Sequence, residues 1–88
     1  MSDRELDENG VDFLAHAMKV KLAKKREQGR GGWNNPDECS AEYLSDLLIS
    51  HLAKGDLVDI ANFCMMLYVR DDATTFKNRM ALYNFKTR

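Results

Sequence analysis

Two carboxylates one helical turn apart, Asp56 and Asp59, open an otherwise apolar run from Gly55 to Arg70 (GDLVDIANFCMMLYVR). A spacing of three on a helix sets Asp56, Asp59 and Asn62 along one slowly drifting edge. Carboxylates on a buried helix are costly unless something compensates them. A divalent cation is one compensator, because Mg²⁺ commonly takes one or two carboxylates together with phosphate oxygens. The other reading is plainer: Asp56 caps the helix and Asp59 accepts a hydrogen bond from a neighbour. Aspartate is so common a cap that composition favours this second reading.

His51 stands a few residues before the same corner. If the flanking helices run antiparallel, its ring can approach Asp59. Such a pair serves in catalysis and at metal sites, but is more often a satisfied pair in the core. A third cluster is basic: Lys19, Lys21, Lys24, Lys25, Arg26 and Arg30, followed after two glycines by Trp33. Here Lys24, Lys25, Arg30 and Trp33 are candidates to meet a phosphate, a base or a protein partner. The simpler alternative is a solvated helix end with Trp33 folded back on the core. Lys77, Arg79, Lys86 and Arg88, with no acid after Asp72, could extend a basic face. His16 carries no signal. No nucleophile elbow, phosphate loop or paired-cysteine metal motif is present.

The elements that must position these residues all read as helices. Val11, Leu14, Ala15, Met18 and Leu22 recur at threes and fours and predict a helix over 11–28, after an acidic, flexible stretch 1–10. Acids gather at its start and bases at its end, which suits the helix dipole. Gly31, Gly32, Asn34, Asn35 and Pro36 mark the one clear break. Ser40 is a good cap for a second helix, 40–54, whose apolar face is Leu44, Leu47, Leu48 and Leu52 and which ends at Gly55. A third, 56–70, is apolar nearly all round, so a central helix contacted on most sides is expected, with Cys64 in the core. A fourth, 73–84, follows Asp71 and Asp72 and carries Ala73, Phe76, Met80 and Tyr83 at helical spacing. No stretch alternates like a strand. The fold class expected is all-α, a compact bundle of three to four helices forming one domain over 11–88.

Composition narrows the functions. A net charge of −1 excludes a uniformly basic nucleic-acid binder, although a local basic patch leaves nucleic acid open. No apolar stretch is long enough for a membrane helix, and the polar, acidic N-terminus is unlike a secretory signal. Cys39 and Cys64, without paired spacing, read as reduced thiols, so a cytoplasmic protein is expected (the host's cytoplasm if phage-encoded). A helical domain of 88 residues gains stability by pairing, so a homodimer is a natural expectation.

The segment GRGGWNNPDECSAEYLSDLLISHLAKGDLVDIANFCMMLYVR, about half the chain, resembles phage-type MazG-like proteins. DIANFCMML is its most specific part, and KVKLAKKREQGRGGW extends it upstream. The resemblance implies an all-helical nucleoside triphosphate pyrophosphohydrolase scaffold that works as a dimer or larger assembly with Mg²⁺. In that family the metal is held by Glu-Glu-x-x-Glu on one helix and Glu-x-x-Asp on the next, and the cations neutralise the triphosphate and activate water. By position, Asp56-x-x-Asp59 stands for the second cluster. The positions of the first read Ser50-His51-Leu52-Ala53-Lys54, without a carboxylate. Glu42 and Asp46 fall on the opposite side of that helix from His51.

Two functions follow as expectations. The favoured one is a small phage-type accessory or regulatory protein that binds a host or phage protein, is not an enzyme and needs no cofactor. Its contact surface would include Trp33 and the basic end of the first helix. The alternative is a Mg²⁺-dependent pyrophosphohydrolase, or a nucleotide-binding relic of one, with Asp56 and Asp59 on the metal and His51 and Asn62 beside the site.

Overall fold

The structure, a computed structural model, describes residues 1–86, with side chains through Tyr83. Lys86 and Arg88, expected in a basic C-terminal face, fall outside the described side chains. The described residues are all-helical, with four helices and no strand. They fall into two compact units, Met1–Gly31 and a second from Gly32 onward.

The first unit is α1 (Asp3–Glu27) and its C-terminal turn. The helix starts eight residues before the expected Val11 because Ser2 and Glu5 cap it reciprocally. Ser2 Oγ accepts from the Glu5 N–H at 3.2 Å, and Glu5 Oε1 accepts from the Ser2 N–H at 3.4 Å. Residues 3–10 are thus helical, their polarity placing them on the surface. Along the expected stripe, Ala15, Met18 and Leu22 are half-buried while Val11 and Leu14 are exposed. The helix closes at Gly29, whose φ of 79° suits a residue without Cβ. The Gly29 N–H reaches Arg26 O at 3.0 Å and the Arg30 N–H reaches Lys25 O at 2.9 Å, which satisfies the last carbonyls.

The second unit packs α2 (Ala41–Lys54), α3 (Leu57–Val69) and α4 (Ala73–Lys86) against one another. Ser40 caps α2, its Oγ accepting from the Tyr43 N–H at 3.1 Å. Gly55, at φ 71°, ends α2, and Asp56 immediately caps α3. A connection this short obliges α2 and α3 to run antiparallel as neighbours. Their shared core is Leu44, Leu48, Phe63, Met66 and Leu67. Two polar residues, Ser45 and Asn62, are fully buried among them. Ser45 is tolerated there because its hydroxyl donates to the Ala41 carbonyl at 2.8 Å. Arg79 fastens α4 to α2 with two bonds to the Asp46 carboxylate, at 3.0 and 2.6 Å. That carboxylate holds the guanidinium above the ordinary arginine value.

Helix α3 is less enclosed than its composition suggested. Leu57, Tyr68 and Val69 are exposed. So is Cys64, which is therefore not a core residue as expected. The run is apolar on both sides, but the neighbours within the unit cover one of them.

The end of α3 repeats the closing turn of α1 with a different residue at its centre. The Asp71 N–H reaches Tyr68 O at 3.1 Å and the Asp72 N–H reaches Leu67 O at 2.9 Å. Asp71 takes the left-handed conformation, φ 59°, that Gly29 takes in α1. Aspartate adopts this conformation at a cost, and its charge opposes the negative end of the helix dipole. Asp71→Gly is therefore expected to stabilise the protein by about 1 kcal/mol in urea unfolding. A loss of stability would show that the Asp71 side chain has a compensating role.

Candidate functional site

Of the candidate residues of the second unit, His51, Asp56, Asp59 and Asn62 lie on the last turn of α2 and the first two turns of α3. Asp56 Oδ1 accepts from the Val58 N–H at 3.1 Å and from the Asp59 N–H at 3.0 Å, so the carboxylate caps α3. Asp59 follows one turn later and Asn62 one turn after that. Burial deepens along this edge, from the half-buried Asp56 and Asp59 to the fully buried Asn62. Both aspartates also have further partners.

His51 directs its Nδ1 to the carbonyl of Leu47, 2.7 Å away. A carbonyl only accepts, so this bond requires the proton on Nδ1. Ser50 Oγ donates to the same carbonyl at 2.9 Å. The His51 ring lies against Phe63 of α3, centroids 4.9 Å apart and planes tilted by 59°.

The fit of a Mg²⁺–triphosphate centre can be judged from the donors. Asp56 already uses one oxygen on two backbone donors. Asp46, the nearest substitute on α2, is held by Arg79 through both oxygens. Among the described residues no group of three or more His, Cys, Asp or Glu is gathered that could hold a metal ion. The donor set of one chain does not fit such a centre. The cap role has its own signature: Asp56→Ala should cost about 1–2 kcal/mol in thermal or urea unfolding, and Asp56→Ser much less. Equal losses for Ala and Ser would refute it.

The basic candidates divide between the units. Lys24, Lys25 and Arg30 belong to the first. Lys24 and Arg30 are exposed, whereas Lys25 is half-buried and partnered. Trp33 belongs to the second unit and is half-buried.

One residue passed over in the sequence organises this unit. The Arg70 side chain is only 6% exposed, and its Nε lies 2.9 Å from Asp72 Oδ2. Its Nη1 donates to the carbonyls of Trp33, at 2.5 Å, and Cys39, at 2.8 Å. A single guanidinium thus ties both ends of the loop before α2 to the turn after α3. The loop is tightened from within. Asn35 Oδ1 accepts from the Asp37 N–H at 3.0 Å, and Asn35 O accepts from the N–H groups of Glu38 and Cys39. Gly32 enters it at φ 76°, where a Cβ would collide with the Glu38 carboxylate. The sequence signal for Arg70 was slight: an arginine closing an apolar helix two residues before an aspartate.

Comparison with protein-family models, with curated proteins and with solved structures gives no match to this chain.

Proposed function

We propose that the protein acts by binding another protein, as a small accessory or regulatory factor on a MazG-like scaffold, with a host or phage protein as its partner. The observation that carries this reading is the outer side of α3. Leu57, Ala61, Cys64 and Tyr68 follow one another at intervals of four, three and four, the spacing of a helix–helix seam. Leu57, Cys64 and Tyr68 are exposed, Tyr68 to 86%. Small Ala61 between Leu57 and Tyr68 leaves room for the side chains of an amphipathic helix, and exposed tyrosines commonly anchor such contacts. The donor geometry at Asp56 and Asp59 supports the same choice, since it lacks the ligands that metal-assisted pyrophosphate cleavage requires.

The test compares the tagged full-length chain with a Tyr68→Glu variant of equal helicity. A partner retained by the first and lost by the second is expected. Amide spectra recorded during titration with Mg²⁺ and a nucleoside triphosphate give the opposing test. Site-specific shifts over Asp56–Asn62, abolished by Asp59→Asn, would overturn the binding reading in favour of a nucleotide enzyme or its relic.

A further inference from the structure

Every residue of α1 through Leu14 is exposed, and the first turn is held helical by the Ser2–Glu5 cap. On the side opposite Ala15, Met18 and Leu22 the helix carries a row of Leu6, Gly10, Phe13, Ala17 and Val20, at intervals of four, three, four and three. Leu6, Phe13 and Val20 are exposed, Phe13 to 83%. Large side chains alternate with small ones, and around Gly10 an added Cβ would meet nothing. An exposed apolar row with this spacing suits the docking of another helix. The charges beside the row are unequal. Glu5 flanks its start on one side, Asp3 and Asp7 on the other, and Lys24 lies in line with its far end. Glu8 and Asp12 point away from it, as does Arg4, which is engaged with Glu8 at 3.1 Å. The helix dipole rewards Asp3 and Glu5 in the first turn, but its effect has faded by Asp7. Asp3 and Asp7, four residues apart, repel each other and weaken the helix unless a cation meets them.

We infer that this face of α1 receives a basic amphipathic helix of another protein, laid antiparallel to it. The partner's large apolar side chains enter the spaces at Gly10 and Ala17, and its lysines or arginines meet Asp3, Glu5 and Asp7. The orientation follows from the dipole. Cations are favoured near the C-terminal end of a helix, and antiparallel docking brings that end of the partner to the acidic start of α1. A second copy of this chain answers the acids poorly. Its Lys19 and Arg26 point away from the row, and its Lys21 and Lys25 are half-buried and partnered, so Lys24 alone would face three carboxylates. An anionic lipid surface is repelled by the same three. The inference adds a second contact surface to the binding reading, on the first unit, and stands whether or not α3 takes a partner.

The test titrates the full-length chain into synthetic helical peptides of about five turns, long enough to span residues 6–20. One peptide carries leucines at the seam spacing with lysines beside them, and its counterpart carries glutamates in place of the lysines. Fluorescence anisotropy should show saturable binding of the lysine peptide, about tenfold or more tighter than of the glutamate peptide. Amide shifts should fall on residues 6–20. Phe13→Asp, at an exposed position, should keep its helicity by circular dichroism and weaken binding by about tenfold or more. Gly10→Leu fills the notch while favouring the helix, so the weaker binding expected of it cannot come from unfolding. Asp3→Asn combined with Asp7→Asn should weaken binding several-fold and flatten its dependence on salt. Tyr68→Glu should leave binding unchanged. No saturable binding, equal affinity for the two peptides, or indifference to Phe13→Asp would each overturn the proposal. So would a wild-type dimer that Phe13→Asp dissolves, which gives the face to a second copy, or Phe13-dependent binding to phosphatidylcholine vesicles, which gives it to lipid.

Discussion

Arg70→Met is expected to cost about 3–5 kcal/mol in urea unfolding, because it strands the buried Oδ2 of the half-buried Asp72 and two loop carbonyls together. A chain of 88 residues has a stability of about 4–13 kcal/mol, so this one side chain underwrites a large share of it. Arg70 Nη1 serves both Trp33 O and Cys39 O while Nε faces Asp72. Lysine has no planar fork to span those acceptors, so Arg70→Lys should recover only part of the loss. The single tryptophan gives a local reading. In Arg70→Met, Trp33 fluorescence should change at lower urea than helicity does, as the loop leaves its clamp before the helices melt. Coincident transitions at the wild-type midpoint would refute the clamp.

Phe63→Ala is expected to cost as much, about 3–5 kcal/mol, by opening a cavity between α2 and α3. Phe63 is 6% exposed and lies against the His51 ring as well as within the core. Phe63→Leu keeps most of the volume and should cost about 1 kcal/mol. Aromatic ring pairs contribute about 0.5–1.5 kcal/mol beyond the area they bury. A double-mutant cycle with His51→Leu should therefore return a coupling of that size. Strict additivity would mean that His51 is held by the Leu47 carbonyl alone.

What could be read from the sequence is what local chemistry decides. Ser40 and Asp56 announced the starts of α2 and α3, and Gly55 the end of α2, because caps are built from neighbouring residues. The α1 start was equally local, since Ser2 and Glu5 form the cap, but an apolar period was the signal followed and these residues lack one. The outward side of α3 was not legible. Composition alone cannot say which side of an apolar helix its neighbours leave open, so Cys64 and Tyr68 could not be told from Phe63 and Met66. The position of Arg70 was legible and its role was not, because its acceptors come from a loop more than thirty residues away. At the α2–α3 corner, the capping alternative for Asp56 describes the geometry found.

The Arg70 clamp also bears on the order in which the second unit assembles. α2 and α3 are joined by Gly55 and Asp56 alone, so their core meets at small loop-closure entropy and can form early. The bonds from Arg70 to Trp33 and Cys39 close separations of 37 and 31 residues and reward the chain only once the helices are in place. Such contacts are absent from an early, hairpin-centred transition state. In stopped-flow experiments Arg70→Met should leave the refolding rate nearly unchanged and accelerate unfolding by almost the whole of its equilibrium effect. The guanidinium is then a latch on the lifetime of the native state, with little say in how fast that state is reached.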